Sequence, residues 1–114
     1  MESNQIFIEK SGNVTVLDIK GDVTSASESV FNETYQSLEG DSPKILLKFD
    51  PSVYINSGGI AVLIQLLAET RRKNQQVGIT GLSDHFQKIF KMVGITRFAR
   101  IYPSVEGATQ GLAG

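Results

Sequence analysis

The sequence has no cysteine, no tryptophan, one histidine and only three prolines in 114 residues. Without cysteine there is neither a disulfide framework nor a thiolate metal site, and the chain suits a reducing cytoplasm. With His85 alone, any serine–histidine catalytic pair depends on one residue, and no His/Asp/Glu cluster has metal-ligand spacing. A charge imbalance is also missing: 11 basic against 12 acidic residues give a formal net charge of -1, so nothing points to nucleic acid or an anionic membrane surface. The densest apolar run, Ile60 to Ala68, is too short to span a bilayer. The start, Met1-Glu2-Ser3-Asn4-Gln5, lacks the basic and then apolar pattern of a signal peptide. P-loop and dinucleotide-binding glycine patterns are absent as well. The expectation is a soluble cytoplasmic domain with no cofactor and no metal.

What is present is ordinary globular material. Hydrophobic residues make up 40% and charged residues 20%, enough for a single domain with its own core. Ile6-Phe7-Ile8 and Val14 to Ile19 are β-branched runs around Gly12-Asn13, which predicts an antiparallel hairpin. Gly21-Asp22 breaks the second strand. Ser25 followed by Glu28 is a capping-box spacing, predicting a helix from about Ala26 to Leu38 with Val30, Phe31, Thr34, Tyr35 and Leu38 on one face and Gly40-Asp41-Ser42-Pro43 as its end. Lys44 to Phe49 is dense enough in Ile and Leu for a strand buried on both faces.

A second helix is expected from Ser57 to about Lys73, with Ile60, Leu63, Ile64 and Leu67 as its core stripe and Arg71-Arg72-Lys73 complementing its C-terminal dipole. Val77 to Thr80 follows as a strand. Ser83 caps a third helix, Asp84 to Val93, which Gly94 stops; Phe86, Ile89, Phe90 and Val93 face inward. Phe98 to Tyr102 is a last strand, and Pro103-Ser104 opens a short final helix that frays at Gly111-Leu112-Ala113-Gly114. The order ββαβαβαβα predicts an α/β domain spanning residues 1–114, with a mixed, mostly parallel sheet, an N-terminal hairpin and about four helices.

The stretch Val53-Tyr54-Ile55-Asn56-Ser57-Gly58-Gly59-Ile60 joins a strand to a helix start, where unpartnered N–H groups and the dipole favour an anion. Either Asn56 or Ser57 can supply the cap, so Ser57 is open to a structural role or to modification. Two glycines at a helix start cost about 1 kcal/mol each relative to alanine, and close approach of a partner is the natural compensation. The site does not make a nucleophile elbow: Gly59 has the required place but Ile55 stands where another glycine belongs. His85 beside Asp84 suits a solvated helix start better than a general base. Val62 and Leu66, with Glu69 beyond, lie off the core stripe, either covered by a neighbouring helix or forming an apolar docking patch. Met92 serves either as core filler or as an adaptable contact.

The run Val53 to Leu63 resembles the signature of the STAS domains, the family of bacterial anti-sigma factor antagonists. The likeness extends to Val14 through Val23, a strand entering an acidic turn, and to Phe86 through Ile95, a helix with a Gly ending. It covers essentially the whole chain and implies a STAS-type fold. Ser57 falls on the family's phosphorylated serine and Gly59 on its glycine. The resemblance implies a non-enzymatic anti-sigma factor antagonist whose unphosphorylated form binds an anti-sigma factor with serine kinase activity and frees a sigma factor. The kinase brings ATP and magnesium, a serine phosphatase can reverse the step, and the chain is a monomer or weak dimer. The contact residues so implied are Asp22, Thr24, Asn56, Ser57, Gly58, Gly59, Val62 and Leu66. Two positions depart from the family: Asn56 replaces its aspartate, and Thr24 its second acidic residue. Those departures favour an alternative, a phosphorylation-independent adaptor or scaffold in a signalling or transport complex.

Overall fold

A glycine in the left-handed region, Gly12 at φ +61°, turns the chain between β1 (Gln5–Ser11) and β2 (Val14–Lys20). The hairpin pairs in antiparallel register from Gln5 opposite Lys20 to Ser11 opposite Val14. A computed structural model describes residues 4–38 and 42–113 of the protein; Gly40 and Asp41, expected to end the first helix, lie outside the described residues, as do Met1 to Ser3 and Gly114. After the hairpin come α1 (Glu28–Ser37), β3 (Lys44–Lys48), α2 (Ser57–Arg72), β4 (Gln76–Thr80), α3 (Asp84–Met92), β5 (Arg100–Ile101) and α4 (Val105–Ala113), the element order expected from the sequence.

Strands follow one another across the sheet in chain order, β1-β2-β3-β4-β5, and all pairs after the hairpin are parallel. Each crossover therefore moves in the same direction, and with a common hand α1, α2 and α3 must fall on one face. The core records this. Leu17, Ile19, Ile45, Leu47, Val77 and Ile79 pack with Phe31, Leu63, Leu67, Phe86 and Phe90. The alternate residues Val14, Val16 and Leu46 face the other way and pack with Ala108 and Leu112 of α4. β3 is thus buried on both faces, as its composition predicted. Phe31 and Phe90 are essentially inaccessible, and truncating either to alanine would cost about 3–5 kcal/mol. No helix among the described residues is long and apolar enough to cross a membrane.

Five details differ from expectation, each for a local reason, the first being that Gly111 to Ala113, expected to fray, stay helical because Leu112 is buried against the sheet. The capping box before α1 is built by Thr24 and Ser27 on a 3₁₀ turn, Ser25–Ser27, rather than by Ser25 and Glu28. Ser27 is drawn inward, because its buried hydroxyl accepts from Thr24 N and donates to Asn4 Oδ1. The buried arc of α2 is wider than its expected stripe: Val62, Leu63, Leu66, Leu67 and Thr70 are buried, whereas Ile60 and Ile64 are only partly so. The helix packs against α1 as well as the sheet, so burial spreads around its side. The fourth difference is at Val93, which is exposed because α3 ends at Met92 and Gly94 turns away at φ +84°. Finally, the last strand is short because Ile95–Arg97 winds into a 3₁₀ turn that buries Ile95, leaving Arg100–Ile101 to pair with β4.

Candidate functional site

Two loops that leave neighbouring parallel strands, β2 and β3, are zipped together beyond the C-terminal ends of those strands. Val23 and Ile55 form a single parallel bridge. Val23 N donates to Tyr54 O at 2.9 Å, and Asn56 N donates to Val23 O at 3.2 Å. The Asp22 carboxylate adds a third tie by accepting from Tyr54 N at 3.0 Å. The β3 loop is itself braced by Asp50, whose carboxylate accepts from the Ser52 hydroxyl at 2.7 Å. That bond, with a second from Ser52 N, holds the Asp50 carboxyl below the usual carboxylate range.

The zipped loops deliver the chain to the start of α2. Asn56 is extended (φ -89°, ψ -177°), and its Oδ1 accepts from Gly59 N at 2.8 Å, so Asn56 is the cap. Ser57 is the first helical residue and is exposed. Its hydroxyl is thereby released from capping and stands in the first turn, where N–H groups lack helical acceptors. Asn56 carries no charge and the first turn contains no acid, so the positive end of the dipole is not neutralised by the helix's own residues.

The glycines have an internal explanation. A Cβ on Gly59 would lie 2.1 Å from Val23 O, and one on Gly58 would lie 3.0 Å from Ser25 Cβ. The close approach expected of a partner at these two positions is made instead by the chain's own β2 loop. Glycine is needed because the helix start and that loop share one space.

Of the residues singled out in the sequence, Asp22, Thr24, Asn56, Ser57, Gly58 and Gly59 belong to this junction. Thr24 uses its hydroxyl locally, accepting from Ala26 N at 3.1 Å as the cap of the following turn. Val62 and Leu66 do not belong to it: they are 6% and 5% exposed and sit in the main core, so of the two alternatives the covered one holds. His85 lies exposed near the start of α3, its ring edge-on to Phe86 at 5.0 Å, and no hydrogen bond joins it to Ser57 among the described residues. No group of three or more His, Cys, Asp or Glu side chains able to hold a metal occurs among the described residues.

Two contributors were not anticipated. Asn4, 8% exposed, donates its Nδ2 to the carbonyls of Lys20, Gly21 and Asp22 at 2.9–3.1 Å and so fixes the β2 loop from behind. Tyr54 is 57% exposed three residues before Ser57, with its ring braced edge-on by Phe86 at 5.8 Å. Nothing in the sequence marks Asn4, since its partners lie 16 to 23 residues away. In the sequence Tyr54 stands out only as a member of the stretch Val53 to Ile60.

The architecture recurs in solved structures. A Thermotoga maritima protein described as an anti-sigma factor antagonist superposes with a TM-score of 0.81 at 14% identity, over 96% of this chain and 95% of that one. An anti-sigma factor antagonist of Mycobacterium paratuberculosis gives 0.79 at 15% identity, over 97% and 95%. An uncharacterised protein of Shewanella loihica with a SpoIIAA-like fold gives 0.65 at 14%, over 98% and 95%. Identities this low speak for the fold alone. A search of the curated proteins finds no match. The STAS domain model matches residues 5–108, nearly the whole described chain, and the protein belongs to the STAS domain family.

Proposed function

We propose that this STAS domain is an anti-sigma factor antagonist regulated by phosphorylation of Ser57. The observation that carries the reading is the division of labour at the start of α2: Asn56 makes the capping hydrogen bond, and Ser57 stands exposed beside it with its hydroxyl free for transfer chemistry. In this reading the unphosphorylated form docks on an anti-sigma factor with serine kinase activity and displaces a sigma factor in the cytoplasm. The contact surface comprises Asp22, Thr24, Asn56 and Ser57, with Gly58 and Gly59 seating the helix start against the β2 loop and Val62 and Leu66 supporting the helix beneath it.

The switch follows from charge. A phosphate on Ser57 adds about -1.5 to -2 charges and a tightly held hydration shell. The helix N-terminus accommodates that charge, so the fold persists. A docked partner would have to strip the hydration and make room for the group, and binding is lost through local repulsion. A serine phosphatase would restore the free hydroxyl. Incubation with the cognate kinase and ATP, followed by peptide mapping, tests the reading: phosphate on Ser57 supports it, and an unmodified Ser57 overturns it.

A second reading is favoured by two residues. Asn56 brings no carboxylate to the phosphate site, and the Thr24 hydroxyl is committed to its own turn. A phosphorylation-independent adaptor would use the same surface with no switch, and its complexes would be indifferent to Ser57→Asp.

A further inference from the structure

The sheet ends at β1, which among the described residues pairs only with β2, so no described strand pairs with the other side of this seven-residue strand. Every residue of β1 except Ile6 is exposed; Phe7 is 50% and Ile8 45% accessible, on opposite faces of the sheet. Such an edge is a template for another strand unless it is guarded by shortness, proline, a bulge or outward charge. β1 has no proline and is paired without interruption along its length. Its one cation is turned away: Lys10 Nζ donates to Thr15 Oγ1 at 3.0 Å, back over its own hairpin.

Register identifies the strand that fits. Ser11 and Val14 flank a two-residue turn, which makes them a hydrogen-bonded pair, and the alternation continues along β1. The backbone groups of Ser11, Glu9, Phe7 and Gln5 therefore point into the hairpin, and those of Ile6, Ile8 and Lys10 point outward. An antiparallel copy of the same strand, centred on Ile8, places Ile8 opposite Ile8 and Ile6 opposite Lys10. All the outward groups are then used, in about six hydrogen bonds. In the same register Phe7 of one copy faces Glu9 of the other, Gln5 faces Ser11, and no like charges oppose one another. One acid and one base per strand leave the joint neutral.

We infer that the open edge of β1 is a self-association surface, on which a second copy of this chain pairs antiparallel about a two-fold axis at Ile8 to continue the sheet across both molecules. The contact is isologous, so association closes at the dimer. A single strand pair buries less than a standard interface, so the dimer dissociates on dilution. The inference does not depend on the role of Ser57.

Sedimentation velocity from about 1 µM to about 1 mM tests it. The wild-type chain should pass from monomer to dimer within that range, and amide exchange at Ile6, Ile8 and Lys10 should slow as the dimer forms. Ile8→Lys, which sets two ammonium groups together on the axis, should remain monomeric throughout. Met92→Lys, at a position 82% exposed on α3, should dimerise as the wild type does. A wild type monomeric over the whole range, a dimer that survives Ile8→Lys, unchanged exchange at the three amides, or a dimer lost in Met92→Lys would each overturn the proposal.

Discussion

The carbonyl oxygen of Val23 occupies the space into which any side chain on Gly59 would project, 2.1 Å from where its Cβ would lie. The loop after β2 and the first turn of α2 therefore meet backbone to backbone at Gly59, and the position of Ser57 is set by that contact. Gly59→Ala must push the two apart, breaking the Val23–Ile55 bridge, and should destabilise the fold by about 2–3 kcal/mol in denaturant unfolding. Gly58→Ala meets only a 3.0 Å contact with Ser25 and gains about 1 kcal/mol of helix propensity, so its net effect should stay within about 1 kcal/mol of zero.

Asn56 is the cap, and its substitutions separate capping from charge. Asn56→Ala removes the acceptor for Gly59 N and should cost about 1 kcal/mol. Asn56→Asp keeps the acceptor and adds a negative charge at the positive end of the dipole, for a gain of about 0.3–1 kcal/mol at neutral pH. A carboxylate so placed has a folded pKa below its unfolded value of about 3.9. The gain is present above that unfolded value and is lost as pH falls through the lower folded one. Stability curves of the two variants between neutral and acid pH check both the size and the sign.

The order of elements was legible because each carries its own period: alternation in β2, a continuous apolar run in β3, and 3.6-residue spacing in α2 and α3. The junction was legible only in part. Ser57 was found through its neighbours, yet sequence left the cap open between Asn56 and Ser57, which backbone angles at Asn56 decide. In sequence the glycines imply room for a partner, because Val23 lies 36 positions from Gly59 in the chain and only the tertiary fold brings its carbonyl there. Val62 and Leu66 fell off the expected stripe because a 3.6-residue pattern describes one buried face, whereas α2 packs on two neighbours.

Asn4 illustrates a residue that local pattern cannot reveal. Asn4→Ala leaves the Ser27 hydroxyl and the Lys20–Asp22 carbonyls without their buried partner and should cost about 1–3 kcal/mol. Amide exchange should rise first at the β2 loop and at Tyr54 to Gly59, showing that the loop loosens before the sheet does.

Asp50 supplies a pH marker for the same region. Its carboxyl is held low by the Ser52 hydroxyl first and the Ser52 amide second. A depressed folded pKa stabilises the loop above the unfolded pKa, and that contribution disappears as pH falls through the folded one. Ser52→Ala should raise the Asp50 midpoint toward the ordinary carboxylate value in an NMR titration of its side-chain carboxyl.

The proposed switch at Ser57 is tested most directly by the affinity of this chain for the anti-sigma factor proposed as its partner, measured by calorimetry for wild type, Ser57→Ala and Ser57→Asp. Ser57→Ala should bind as the wild type does, because the cap is Asn56 and the hydroxyl carries no structural load. Ser57→Asp should bind at least about 100-fold more weakly, a loss of about 2.7 kcal/mol, since a partner must desolvate the new charge. Equal affinity for Ser57→Asp and wild type would contradict the account.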